Sequence, residues 1–352
     1  MDFTWLAEIE ELSPAALTVR AQALPPDDNG RLFWTNFFPR QNVDSVDLKD
    51  VTILDDRPVA ARREWNTRGR HVPPVAPMKR EVSILPVEAY DTIGEKEIQK
   101  LYEATDGNQE LMQARIGVRI PDRSDRLAMA VYRTIELDSF EAWLNGRIRQ
   151  KDPATGAEYI ASFDFAAGRI ETALTPWGTG GTNAYDEFVA WYEDALSDVG
   201  LGAGAAMRRS MMRRILRDAP QLAGGVRMSY GQLADRISDD VGQPFIFYLM
   251  ESHVDDYVDG GIVKQRVQVW PADTKVAFVP ADERVGNTAF APVARAMDIS
   301  RQAPEARVDR RGIAVFHEAA NGYRQLTIEA QGNPLSIPEE QRVRVIDAGA
   351  EA

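Results

Sequence analysis

The 352-residue sequence predicts an α+β fold, with helices and strands in separate runs along the chain. Apolar residues recur at helical spacing through most of 92–150, and short alternating apolar segments bounded by Pro and Gly lie on either side. The apolar share of 44% is ordinary for a globular protein. The length suggests one large domain or about two to three ordinary ones.

The charge is distributed unevenly along the chain. The sequence has 41 basic and 54 acidic side chains, a net charge of −13. Residues 56–80 carry seven basic side chains against two acidic ones, a net charge of +5, which leaves −18 elsewhere. Nucleic-acid binding depends on Lys and Arg, so the acidic remainder argues against it. The basic side chains of this segment are Arg57, Arg62, Arg63, Arg68, Arg70, Lys79 and Arg80.

Residues 1–45 are predicted to form an N-terminal arm. A breaker-rich stretch at 24–30 precedes an aromatic block that contains Phe33, Trp34, Phe37 and Phe38. Such a density of large apolar side chains has to be buried. Because polar and proline-rich chain flanks the block, its partner is either a distant domain or another subunit.

Residues 46–90 are predicted to form a long excursion. The segments 43–54 and 81–87 have strand-like patterns, whereas 55–80 has no helical or strand periodicity and contains four prolines. A structureless segment of this length is uncommon inside a compact domain. We therefore expect a protruding two-stranded arm that carries the basic residues.

Residues 91–150 are predicted to be mostly helical, with one interruption at 106–108 and another at Pro121. The Asn145-Gly146 pair is expected to end the last helix or begin a turn. Turns, hairpins and short helices are expected beyond it. The predicted helices are 184–198, 204–218 and 229–240, and the predicted strands are 159–165, 170–174, 243–250, 263–270, 275–280, 323–330 and 340–347.

Catalytic patterns are sparse. The chain has no cysteine, and His71, His253 and His317 form no metal-binding motif. The run 253–261 contains Asp255, Asp256 and Asp259, which suits a hard cation but also suits a solvated acidic hairpin loop. The glycine-rich stretches 178–181 and 200–204 lack the phosphate-loop pattern and are interpreted as hinges or turns.

A basic amphipathic helix is predicted at 207–217. Arg209, Arg213 and Arg217 recur every four residues and share one face. They fit contact with a phosphate or an acidic partner, and they also fit a solvated face paired with local acids such as Asp218.

The sequence predicts no membrane span, since no run of about 18 apolar residues occurs. The first residues lack a basic run followed by an apolar segment, so no secretory signal is predicted. We expect synthesis in the cytoplasm.

Three parts of the sequence resemble the major capsid proteins of tailed phages, in the family typified by phage lambda. The first is the aromatic block, 31–39. The second is Gly69 with the prolines and Lys79 that follow it, up to Pro86. The third is 333–345, with its Asn-Pro-Leu and closing Val-Arg-Val residues.

The resemblance implies a Hong Kong 97-type (HK97-type) fold. In that fold 1–45 is the N-terminal arm, 46–90 the extended loop and 91–150 the spine helix region, 151–182 and 321–352 form the peripheral β-domain, and 183–320 form the axial domain. It further implies an icosahedral phage head that encloses packaged double-stranded DNA.

The implied partners are other copies of the chain, as pentamers and hexamers, together with a portal, a scaffold and a cement protein. The location is then the virion. The resemblance implies no catalytic residue and no cofactor. The aromatic block and the basic residues of the extended loop are the expected intersubunit contacts. The alternatives are a non-viral compartment shell of the same fold and a metal-dependent soluble enzyme.

Overall fold

The fold is seen in a computed structural model of the chain. It describes residues 9–24, 34–49, 81–151, 158–173, 175–177, 183–199, 202–221, 228–251, 253–258, 263–270, 274–319 and 325–349.

The described α-helices lie in both halves of the chain. They are α1 (Pro14–Ala23), α2 (Trp34–Phe37), α3 (Glu95–Ala104), α4 (Gln109–Asn145), α5 (Ala184–Val199), α6 (Arg209–Asp218), α7 (Tyr230–Val241) and α8 (Ala294–Gln302).

The described strands are short and lie in both halves of the chain. They are β1 (Arg40–Asn42), β2 (Asp47–Lys49), β3 (Glu81–Ser83), β4 (Val87–Ile93), β5 (Arg147–Lys151), β6 (Glu158–Ser162), β7 (Ile170–Thr172), β8 (Gly202–Met207), β9 (Ile246–Leu249), β10 (His253–Val258), β11 (Val263–Gln268), β12 (Lys275–Pro280), β13 (Gly286–Phe290), β14 (Ala314–Ala319), β15 (Leu326–Gly332), β16 (Pro334–Pro338) and β17 (Val345–Asp347).

The 37-residue helix α4 is the spine of the molecule. Asn108 begins it, since its side chain accepts a hydrogen bond from the backbone N–H of Leu111. Gly146 ends it in the left-handed conformation at φ 64°. Both ends therefore agree with the sequence prediction.

The expected break at Pro121 is wrong, because Pro121 lies inside α4. A proline in a helix interior costs about 3 kcal/mol. Ile116 and Ile120 before it and Leu127 after it are buried in one apolar cluster. Each such side chain contributes about 1.5–3 kcal/mol on burial, so packing of this face outweighs the proline.

A five-stranded sheet, in the order β7-β17-β12-β8-β9, separates two apolar cores. Side chains alternate across β12: Ala277 and Val279 enter the spine core around α4, whereas Val276 and Phe278 enter a second core beneath α5, α6 and α7. The sheet thereby connects the spine to a layer of three helices.

The glycine-rich stretch at 200–204 was expected to be a hinge or turn, and 204–208 was expected to begin a helix. Gly202–Met207 is instead the strand β8, which pairs parallel with β9 and antiparallel with β12. A Cβ at Gly204 would lie 1.9 Å from the carbonyl oxygen of Ile246. Glycine is thus required here for the close approach of two strands.

A three-stranded antiparallel sheet, β14-β15-β4, packs against α4. It joins strands from the expected extended loop, axial and peripheral segments, so sheet pairing crosses the expected boundary at 320. Likewise β17 near the C-terminus pairs with β12. The strands of one sheet are far apart in sequence, which is why composition along the chain did not reveal these pairings.

Within the described ranges, no helix has a stretch long and apolar enough to cross a bilayer.

Candidate assembly surfaces

The aromatic block packs inside its own chain. Phe37 is 1% exposed, and its ring centroid lies 5.1 Å from that of Trp143 and 5.7 Å from that of Tyr248. Phe38 is also fully buried. The expectation that these two rings contact another subunit is therefore corrected: α4 and β9 already enclose Phe37, and neither ring reaches the surface.

The other two aromatic residues of the block are Phe33 and Trp34. Phe33 lies outside the described residues, and only the backbone of Trp34 is described, as the first residue of α2. Their contact with another subunit stays a prediction.

The basic segment, residues 56–80, lies outside the described residues with all seven of its basic side chains. Its two ends are described. β2 and β3 pair antiparallel, with Asp47 opposite Ser83, as expected for the base of a two-stranded arm. Leu48 and Ile84 join the apolar cluster that contains Ala142 of α4. The base is thus attached to the spine.

The 31 residues between β2 and β3 are joined to the described chain at both ends through this one strand pair. Each half of that length spans at most about 50 Å, at about 3.3 Å per residue. This upper limit allows a contact with a neighbouring copy.

Three arginines of α4 form ion pairs within the chain. Arg123 Nη2 donates to Glu97 Oε1 (2.6 Å), and Arg123 Nη1 lies 3.3 Å from Asp91 Oδ2. Arg119 also pairs with Glu97, and Arg126 pairs with Asp91. These pairs attach α3 and β4 to the spine, so the charges of these three arginines are compensated within the chain.

The outer face of the β14-β15-β4 sheet is acidic. Glu329 lies between Tyr90 and Phe316 across the sheet, and Glu88 and Glu318 occupy opposite corners around it. Burial and then the negative charges of Glu88 and Glu318 raise the pKa of Glu329. We call Glu88, Glu318 and Glu329 the acidic sheet face; this arrangement of like charges favours a cationic partner.

An exposed aromatic ring borders the acidic sheet face. Tyr90 is 71% exposed, although it lies in a strand. On the opposite side the guanidinium of Arg295 lies 4.9 Å from the Phe316 ring centroid. The positive charge of Arg295 lowers the pKa of Glu329 and so opposes the larger effect of burial.

The predicted basic helix is confirmed as α6, Arg209–Asp218, with Met211, Met212 and Ile215 buried beneath it. Arg217 pairs with Asp218 at 3.0 Å, as expected for a face paired with local acids. Arg209 and Arg213 are both exposed and lack such a pair within the described parts of the chain.

Two of the three candidate metal residues lie in a strand and not in a loop as expected. Asp255 and Asp256 lie in β10, which pairs antiparallel with β11, and Asp259 lies outside the described residues. Where the chain is described, no three His, Asp or Glu side chains are grouped so as to hold a metal ion. Of the histidines, His71 lies outside the described residues and His253 begins β10.

His317 is a largely buried structural residue. Its Nε2 lies 3.0 Å from the carbonyl oxygen of Leu12, which connects β14 to the segment before α1. Burial lowers the pKa of His317 below its ordinary value of 6.5. The unfolded chain then gains the proton at a higher pH than the folded chain, so stability is retained above pH 6.5 and falls as the pH is lowered below it.

We expect His317→Gln to reduce this loss of stability, because Gln does not titrate and still offers an N–H to Leu12. The free energy of unfolding, measured by urea denaturation at pH 7.5 and 5.5, checks the prediction. Each unit of pKa difference corresponds to about 1.4 kcal/mol. An equal pH dependence in both proteins would contradict it.

Comparison with known proteins finds structures with a similar fold but no matching sequence family. No protein-family model and no curated protein matches the sequence. A prophage protein of Escherichia coli CFT073, described as a capsid protein, has a TM-score of 0.53 and 13% identity, with 94% of this chain and 96% of that chain covered. The capsid of Myoviridae phage XM1 has a TM-score of 0.50 and 11% identity, with 93% and 94% covered.

At these identities the likeness concerns the fold. The chain has the HK97-type capsid fold, and both the predicted α+β class and this fold are confirmed.

Proposed function

We propose that this protein is the major capsid protein of a tailed phage, which assembles as pentamers and hexamers into an icosahedral head around double-stranded DNA. The observation that carries the proposal is the capsid fold, shared with the phage XM1 capsid over 93% of this chain and 94% of that one. The role is structural and requires no catalytic residue.

The charge pattern supports self-association. The basic segment has a net charge of +5 and the rest of the chain a net charge of −18. The basic segment of one copy is therefore attracted to the acidic body of another. Contacts between unlike surfaces of identical subunits generate closed rings, which a shell requires. Arginine predominates in the basic segment, and its planar fork suits bidentate pairing with carboxylates.

The acidic sheet face is the surface on which we place the basic segment of a neighbouring copy. Its three carboxylates lie on one side of the sheet, and burial followed by like charge raises the pKa of the central one, Glu329. The exposed Tyr90 ring beside them offers a face for a guanidinium.

A portal, a scaffold and a cement protein belong to this proposal as partners, as does membership of the lambda-type capsid proteins, which rests on the sequence motifs. An acidic body holds packaged DNA weakly, so the proposed contact with DNA is non-specific proximity. The virion is the proposed location. A compartment shell of the same fold is the alternative, and a cargo enzyme encoded beside it, rather than a terminase and portal, would favour it.

Expression of the protein alone and with its neighbouring genes tests the proposal. Negative-stain microscopy is expected to show uniform hollow particles or tubes. A small discrete species under every condition would contradict it and favour the metal-dependent enzyme. In that case Asp255, Asp256 and Asp259 would be substituted to test for loss of bound metal.

A further inference from the structure

Helix α6 carries a row of positive charge that its own domain does not neutralise. Arg209, Arg213 and Arg217 recur every four residues, at about 6 Å along the helix axis. Arg217 has the neighbouring Asp218. In the described parts of the chain Arg213 Nε meets only the hydroxyl of Tyr230, at 3.4 Å. The backbone N–H of Arg209 donates to Glu251 Oε1 at 2.7 Å, but its guanidinium forms no ion pair with a described carboxylate.

Helix α7, in the same layer, carries the opposite charge with the same spacing. Asp235 and Asp239 are exposed and also lie four residues apart. The nearby Arg236 is already paired with Asp240 at 3.0 Å, and Asp240 also accepts a hydrogen bond from Tyr185. Among described residues, no cation pairs with Asp235 or Asp239.

Each row is unfavourable within an isolated subunit. Like charges four residues apart on a helix repel one another. The two helices are held in one layer by the second core, through Ile215 of α6 and Leu233 and Ile237 of α7. The rows thus belong to one rigid unit, yet they do not pair with each other.

We propose that the α6 arginine row of one subunit pairs with the α7 aspartate row of a second copy of this chain. This rests on the proposed function, because it supplies a contact between neighbouring subunits of a shell. The equal spacing allows Arg209 and Arg213 to meet two carboxylates at once. Because the surfaces differ, the contact is head to tail and repeats around a ring.

The acidic row favours a second copy over nucleic acid as the partner. A phosphate backbone would match the arginines but would leave Asp235 and Asp239 without a cation, and the chain's net charge of −13 would oppose its approach. A second copy neutralises both rows in one contact.

Charge-exchange variants test the pairing. R209E/R213E has two acidic rows and D235K/D239K has two basic rows, so each alone is expected to lose assembly at least tenfold relative to the parent. An equimolar mixture should recover it, because each variant then neighbours the other. Alternation requires an even number of subunits, so the mixture should form six-membered but not five-membered rings. The fourfold variant R209E/R213E/D235K/D239K should assemble alone.

Light scattering after size-exclusion chromatography and negative-stain microscopy measure assembly, and circular dichroism checks that every variant is folded. The matched control is D298R/R301D, which exchanges an exposed pair within α8 and is expected to assemble as the parent does. Normal assembly of both double variants, or failure of the mixture and of the folded fourfold variant, overturns the pairing while the proposed function stands. Failure of the parent to assemble overturns the proposed function instead.

Nucleic acid is the competing partner. Binding of a labelled DNA duplex by the unassembled parent, lost in R209E/R213E while assembly persists, would overturn the proposal in favour of phosphate contact. No DNA binding by the parent, together with recovery in the mixture, is the supporting result.

Discussion

Reversing four arginines of the basic segment, as R62E/R63E/R68E/R70E, is expected to abolish shell assembly and leave the subunit folded. The change turns the segment's net charge from +5 to −3, so it repels the acidic body that we expect it to contact. A single exposed ion pair contributes only about 0–1 kcal/mol, but four are removed in every copy of the shell. Negative-stain microscopy and the thermal midpoint measure the two outcomes.

Two further variants make this test specific. Replacing the same arginines by Lys keeps the charge and removes the bidentate fork, so assembly should weaken without disappearing. Adding E88R/E318R/E329R to the reversed variant should restore shells if the acidic sheet face receives the segment. Normal shells from the reversed variant would refute the contact of the basic segment with another subunit. If the variant that also carries E88R/E318R/E329R folds but forms no shells, the basic segment contacts a surface other than the acidic sheet face.

Gly204→Ala is expected to destabilise the subunit by about 3 kcal/mol or more. The new Cβ would lie 1.9 Å from the carbonyl oxygen of Ile246, which is backbone and cannot rotate away. Relief would require β8 and β9 to separate, although their parallel pairing lies within a sheet that borders both apolar cores. Urea unfolding followed by circular dichroism measures the loss.

Gly231→Ala is the matched control. Gly231 lies in α7, and a Cβ there would meet no heavy atom within 4 Å. Alanine is favoured over glycine in a helix by up to about 1 kcal/mol, so this variant should be as stable as the parent or more stable. Equal stability of the two alanine variants would contradict the close-approach argument for Gly204.

The spine and its ends were predictable, because the signals that define them are local. The side chain of Asn108 satisfies an N–H three residues away, and Gly146 adopts a conformation that glycine tolerates at little cost. The prediction at Pro121 was wrong because it also used a local signal. Proline indicated a break, but the contacts of this helix face with distant residues outweigh its cost.

Several strands were missed, because their identity depends on distant partners. β13 lies between β1, more than 240 residues earlier, and β16, more than 40 residues later. Its residues Thr288, Ala289 and Phe290 are all buried, so neither face shows the alternation that indicates a strand. β10, β14 and β16 were also absent from the predicted elements.

The site was predictable only in part. The charge of residues 56–80 follows from composition, whereas the state of each arginine depends on which carboxylates come within about 4 Å. Arg123 pairs with Asp91 and Glu97, 32 and 26 residues earlier in the chain, whereas the guanidinium of Arg209 forms no ion pair with a described carboxylate. Spacing along a helix identifies a row of charge but does not say whether it is neutralised.

The sequence by itself determined the α+β class, the capped spine helix and the separation of charge between a basic segment and an acidic body. The tertiary structure alone decided that Phe37 and Phe38 serve the chain's own core, that Gly204 lies where two strands meet, and which charged rows stay unpaired. The reason is physical. Helix capping and net charge depend on residues close in sequence, whereas burial and ion pairing depend on residues that only folding brings together.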